Sequence, residues 1–249
     1  MPSLLDEIDL EALPIDPDLA ERLLATLEAA ASTKGVFIES STYLRRVLDK
    51  CCPQADIEAA VQLSPTRAGI APEVVDKIAL AEIRTEALRS SGLSFLAGMP
   101  GGLAMAATIP FDLTQYFVHV LRIEQKLAYL YGWHSFLDDD PDQEDDPQYH
   151  LALIIGFASG VGNVGSTVAK VGFNAARTGI AGALSRVMLP RMASKVVPVL
   201  GGAMSAGLTF SMFTSGAEVM RRYFAGLPQA TDEFEVSSEV IDIEPRVIE

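Results

Sequence analysis

The sequence predicts an all-α protein: a helical bundle with glycine- and alanine-rich, tightly packed hairpins and disordered acidic termini. Three observations predict it. Apolar residues recur at helical spacing in several segments that open on proline and close on glycine. Small residues form one unbroken stripe at helical spacing through a long later segment. Acidic residues crowd both ends and one internal loop, which leaves the middle of the chain apolar. At 249 residues the chain can bury a sizeable core. Residues 16–227 read as a single helical domain between an acidic arm, 1–15, and an acidic tail, 228–249.

The elements follow in order. Asp16 is placed to cap a helix that begins with Pro17 and runs through DLAERLLATLEAAAS, because proline fits the first helical turn and carboxylates suit that end. Two short helices follow, around STYLRRVLDKCC and QADIEAAVQL, with SPTRAG as the break before the next element. A longer helix fits APEVVDKIALAEIRTEALRSSGLSFLAGM, with Val75, Ile78, Ile83, Ala87 and Leu88 approximating one apolar face. It stops at MPGG. Pro110 opens the next helix, PFDLTQYFVHVLRIEQKLAYLYGW, which closes at Tyr131 with Gly132 as its C-terminal residue. After the acidic loop SFLDDDPDQEDDP come two more apolar segments, roughly 147–187 and 189–226. The tail QATDEFEVSSEVIDIEPRVIE is densely charged and reads as disordered, or as a lightly bound strand.

Charge is unevenly spread. The formal net charge of −14 argues against nucleic acid as a partner, since a phosphate backbone needs a basic face. Residues 1–35 carry eight Asp or Glu against two basic residues, and 138–146 carry seven against none. The segment 150–227 reverses this, with Lys170, Arg177, Arg186, Arg191, Lys195, Arg221 and Arg222 set against Glu218 alone. Cys51 and Cys52 are adjacent, a spacing that strains any direct bridge, and MPSLLDEIDLEALP lacks the basic start and long apolar core of a secretory signal. These features predict a reducing, cytoplasmic location, with the inner face of the cell membrane as an available surface.

The stretch GVGNVG, with Gly160, Gly162 and Gly165, has the spacing of a dinucleotide-binding turn. That reading needs a preceding strand, a βαβ unit and an acidic residue about 20 positions on. The chain there reads AGALSRV, without an acid, so no cofactor is assigned. Helical packing accounts for the glycines better. Ala158, Gly162, Gly165, Ala169, Gly172, Ala176, Gly179 and Ala183 are separated by 4, 3, 4, 3, 4, 3 and 4 positions, which puts them on one helix face. Small side chains there let a second backbone approach closely.

Three stretches lack Asp, Glu, Lys and Arg: Ser90 to Phe111, Pro147 to Ala169 and Val196 to Ala217, of 22, 23 and 22 residues. A bilayer core requires about 20. Prolines, glycines and polar residues interrupt all three. They fit either buried core helices of a soluble bundle or re-entrant hairpins flanked by the seven cations, which suit an anionic leaflet.

The residues GLSFLAGMPGGLAMAATIP, then Pro110, Phe111, Asp112 and Leu113, then Arg122, and the closing Leu130, Tyr131 and Gly132, resemble the EcsC-like proteins of bacteria. The later VVPVLGGAMSAGLTFSMFTSGAEVMRRYF is similar to that family's Pro-hydrophobic-Gly-Gly segment and terminal amphipathic helix. The likeness covers roughly 85–227. It implies an α-helical, membrane-associated bacterial protein and no catalytic mechanism.

Chemistry-bearing residues are sparse. Asp112 sits three positions into the helix opened by Pro110 and reads as a carboxylate favoured by the helix dipole, or as a buried polar contact to Arg122 or to a lipid-facing partner. Asp138, Asp140, Asp142, Glu144 and Asp146 alternate as in a calcium loop, but Gln143 occupies the glycine position and Tyr149 the place of the bidentate Glu. His119, His134 and His150 make no metal-binding spacing, and no GxSxG or SxxK occurs. The expected protein is therefore non-enzymatic and free of metal and cofactor, with a soluble helical adaptor and an enzyme of unknown reaction as the alternatives. Its expected partner is an anionic membrane surface or another protein.

Overall fold

The computed structural model describes residues 25–97, 105–135, 137, 154 and 201–226. Most of these are helical, in six helices, and none is in a strand, so the all-α prediction holds. We number the helices α1 (25–31), α2 (Ser40–Leu48), α3 (Gln54–Gln62), α4 (Pro72–Ala97), α5 (Met105–Leu130) and α6 (Gly201–Gly226). The arm 1–15, the expected helix start at Asp16 and Pro17, the acidic run 138–146, the tail 228–249 and the small-residue stripe from Ala158 to Ala183 lie outside the described residues.

Three 26-residue helices, α4, α5 and α6, form the body. Each is about 39 Å long at 1.5 Å per residue. Helix α4 packs against both others, and α5 touches α6. Glu82 and Glu86 of α4 meet Lys126 and His119 of α5 in reverse order, so that pair is antiparallel. Asp76 near the start of α4 meets Arg221 near the end of α6, so α4 and α6 are antiparallel as well. Helices α5 and α6 therefore run parallel. Tyr116 packs edge-on against Phe213 between them, ring centroids 6.1 Å apart. The smaller α2 and α3 pack together, and α2 leans on α5.

Helix α5 is the centre. From Tyr116 to Leu130 every residue but Arg122 is buried, including His119, Glu124, Gln125 and Lys126. A helix buried all round must satisfy its polar groups inside the protein, and this requirement shapes the networks below. Its start differs from expectation. Helix α5 begins at Met105, so Pro110 lies within it rather than opening it, and removes the amide that would bond the Ala106 carbonyl. The predicted end is borne out. Gly132 has φ of 80°, its amide bonds the Tyr129 carbonyl, and the Trp133 amide reaches back to Ala128 at 2.9 Å. That is the six-to-one closure of a glycine-terminated helix.

The core face of α4 also needs one correction. Val75, Ala79, Ile83 and Ala87 are buried, but Leu88 is 55% exposed, and Glu86 points inward at 0%. Helix α2 is capped by Glu39, whose carboxylate accepts from the amides of Ser41 at 3.0 Å and Thr42 at 2.7 Å. Hydrogen bonds from Thr42 and then Ser41 hold that carboxyl down to about 2.

Candidate functional site

Glu82 and Glu86 are one turn apart on α4, and His119, Arg122 and Lys126 share a face of α5 through three- and four-residue steps. Where these faces meet, the charges interlock. The Lys126 ammonium donates to Glu86 Oε1 at 2.6 Å and to Glu82 Oε2 at 2.5 Å. His119 Nδ1 stands 2.7 Å from Glu86 Oε2, Arg89 Nη1 donates to Glu86 at 3.1 Å, and Arg122 Nε lies 3.6 Å away. The side chains of Glu86 and Lys126 are 0% and 2% exposed. Burial alone would raise the Glu86 carboxyl. The His119 hydrogen bond, the Lys126 charge and hydrogen bond, and the Arg122 charge outweigh it, and hold the group well below the usual carboxylate range.

Tyr43 of α2 sits beside this network. Its hydroxyl is buried with no hydrogen-bond partner, and burial first, then the charge of Glu82, pushes the phenol well above its ordinary value. Arg46 stacks over the same ring, 5.6 Å from the centroid. Arg122 also donates to the Gly35 carbonyl. Gln125 extends the link: its amide donates to the Val36 carbonyl at 2.9 Å and its oxygen accepts from the Ile38 amide at 2.8 Å. Helix α5 thus carries the hydrogen bonds of the segment leading into α2.

A second network closes the other end of the bundle. Tyr131 donates its hydroxyl to Asp76, and Arg221 Nη1 donates to the same carboxylate at 2.8 Å. Glu218 takes two bonds from Arg221, at 2.8 and 2.9 Å, and one from Arg222 at 2.9 Å. Burial, then the Asp76 hydrogen bond, pushes the Tyr131 phenol up to about 12. Arg221 is raised as well, first by its hydrogen bond to Glu218. Elsewhere the buried Glu124 accepts from Ser135 at 2.8 Å.

These arrangements fasten helices. Each carboxylate of the first network faces cations across α4 and α5, and the second ties α4, the end of α5 and α6 together. Among the described residues no group of three His, Cys, Asp or Glu side chains could hold a metal ion.

The predicted site residues fall out as follows. Arg122 joins the first network and Tyr131 the second, Gly132 forms the α5 cap, and Pro110 is inside α5. Asp112 lies on α5, with its side chain outside the described residues. Arg122 has Glu86 and the Gly35 carbonyl as partners. Lys170, Arg177, Arg186, Arg191 and Lys195 lie outside the described residues. Arg221, expected to face a membrane, instead turns inward: its side chain is 15% exposed and bound to Asp76, Glu218 and Tyr131. Arg222 is 73% exposed and pairs with Glu218. Glu86, Lys126 and Gln125 escaped the sequence reading. A weak signal existed, since Glu86 lies between the apolar Ile83 and Ala87, and Lys126 sits inside a mostly apolar helix.

No helix among the described residues is long and apolar enough to cross a membrane. Compared with protein-family models, curated proteins and solved structures, the chain matches none of them.

Proposed function

We propose that this chain is a non-enzymatic, peripherally or reversibly membrane-associated helical protein of the EcsC-like type, acting at the cytoplasmic face of a bacterial membrane. The observation that carries this reading is the charge imbalance of 150–227, seven cations against Glu218. Each Lys or Arg near an anionic leaflet contributes about 1 kcal/mol. With Arg221 engaged inside the bundle, the attraction rests on Lys170, Arg177, Arg186, Arg191, Lys195 and Arg222. The groups of the inward-facing charge networks bind one another across helices, a fastening role. The acidic arm and tail, 1–15 and 228–249, cover the cations away from the membrane and release them at it, since acidic tails are repelled by an anionic leaflet.

The test is a charge reversal of Lys170, Arg177, Arg186, Arg191 and Lys195 to Glu, compared with the unmodified chain in co-sedimentation with phosphatidylserine-containing vesicles. The expected outcome is loss of pelleting in the variant. Equal pelleting of the two removes the basic segment from the account. A protein partner is the second reading. Leu80 and Leu88, 51% and 55% exposed and two turns apart on the outer side of α4, favour it.

A further inference from the structure

Neither charge network uses the two cysteines, which occupy the short turn between α2 and α3. Cys51 is exposed and Cys52 half-buried. Both amides bond the Leu48 carbonyl at 2.9 Å, and Pro53 follows with φ of −61° and ψ of 149°, so the turn is held from both sides. The two sulfurs converge to 3.5 Å. We propose that Cys51 and Cys52 form a dithiol site that captures mono-substituted trivalent arsenicals, a ligand class that takes two sulfurs and no more.

Distance and donor count both point to this class. The sulfurs stand at ordinary thiol–thiol contact, and a direct bridge between adjacent residues is strained. A soft ion bonded at about 2.3 Å to each sulfur, with an angle of about 100° between the bonds, leaves them about 3.5 Å apart. The separation of the two sulfurs is therefore that of a bridged pair. Among the described residues no third metal-ligating side chain completes a cluster here. Zinc, which takes four ligands, would be left open, and so would an arsenic atom that needs three thiolates. An organoarsenic oxide is satisfied by two. Two As–S bonds form, the arsenic–oxygen bond breaks, the oxygen leaves as water carrying both thiol protons, and arsenic stays trivalent. No oxidant and no external base enters. The Cys52 thiol is pushed up to about 11, by burial first and by Cys51 next, so it gives up its proton only as the As–S bond forms and capture quickens as pH rises. Thiol–disulfide exchange, which needs the thiolate, is disfavoured by the same shift.

The experiment treats the full chain with phenylarsine oxide and reads its intact mass, before and after excess glutathione or 2,3-dimercaptopropanol. The chain has 2 cysteines, so any adduct reports on this pair alone. One phenylarsenic adduct is expected, stable to glutathione and released by the dithiol. Cys51→Ser and Cys52→Ser should each lose it to glutathione, and Cys51→Ala and Cys52→Ala should behave in the same way, with helix content followed by circular dichroism. Absence of an adduct on the full chain overturns the proposal. So does a glutathione-stable adduct on any folded single variant.

Discussion

Replacing Lys126 by Met tests whether the α4–α5 charge network holds the bundle together. The ammonium lies 2.6 Å from Glu86 and 2.5 Å from Glu82, and its side chain is 2% exposed, so water cannot take its place. Methionine keeps most of the length and removes the charge. Breaking a buried pair from one side destabilises by about 3–5 kcal/mol, because the other charge is left behind. Here Glu86 keeps His119 at 2.7 Å and Arg89 at 3.1 Å, which places the expected loss at the lower end, about 3 kcal/mol. For a chain of this size that is a fall in Tm of about 6–12 °C. Urea denaturation followed by circular dichroism gives the free energy directly. Glu86→Gln/Lys126→Met should be milder than the sum of its single variants by about 1 kcal/mol or more, since both ends of the pair are then neutral. A Lys126→Met variant within about 0.5 kcal/mol of wild type, the range of an ordinary surface change, would refute the reasoning.

The same carboxylate sets an acid dependence. The folded Glu86 carboxyl is held well below the unfolded value of about 4.3. Its stabilisation is therefore complete above that value and is lost as pH falls toward the folded one. Urea midpoints should fall below about pH 4.5, and less steeply in Glu86→Gln. Gln125→Leu strands the Ile38 amide and the Val36 carbonyl, and should destabilise by about 1–3 kcal/mol while speeding amide exchange at Ile38. Gly132→Ala forces a side chain onto φ of 80° and should lower stability by about 1–2 kcal/mol in the same denaturation assay. Glu39→Ala removes the α2 cap, with an expected loss of about 1 kcal/mol by thermal melting.

Much of the fold was legible because it is local. SPTRAG separates α3 from α4 as expected, α2 and α3 lie within a few residues of their expected limits, and Gly132 ends α5 where its freedom at positive φ is needed. Pro110 misled because proline prefers the first turn of a helix without being confined to it: here it is the sixth residue of α5, and the Ala106 carbonyl loses its amide partner. Leu88 misled for a different reason. Apolar periodicity assumes that charge points outward, whereas on α4 it is Glu86 that faces the core. The apolar Ile83 and Ala87 on either side of Glu86 give only a weak local hint of this. Its partners His119 and Lys126 are 33 and 40 positions away, and only packing of α4 on α5 brings them within reach. Arg221 shows the same limit, since Asp76 lies 145 positions before it and turns a cation expected at the surface into a clamp between helices.

The membrane account meets its most direct test in co-sedimentation of the full chain with phosphatidylserine-containing and with pure phosphatidylcholine vesicles, each at about 20 mM and about 500 mM salt. Screening shortens from tens of ångströms to a few across that range, so an electrostatic attachment should respond strongly. The account predicts pelleting with the anionic vesicles at low salt, release at high salt, and little pelleting with the neutral ones. Protein that stays in the supernatant with anionic lipid at low salt, or pellets equally with both lipids, contradicts it.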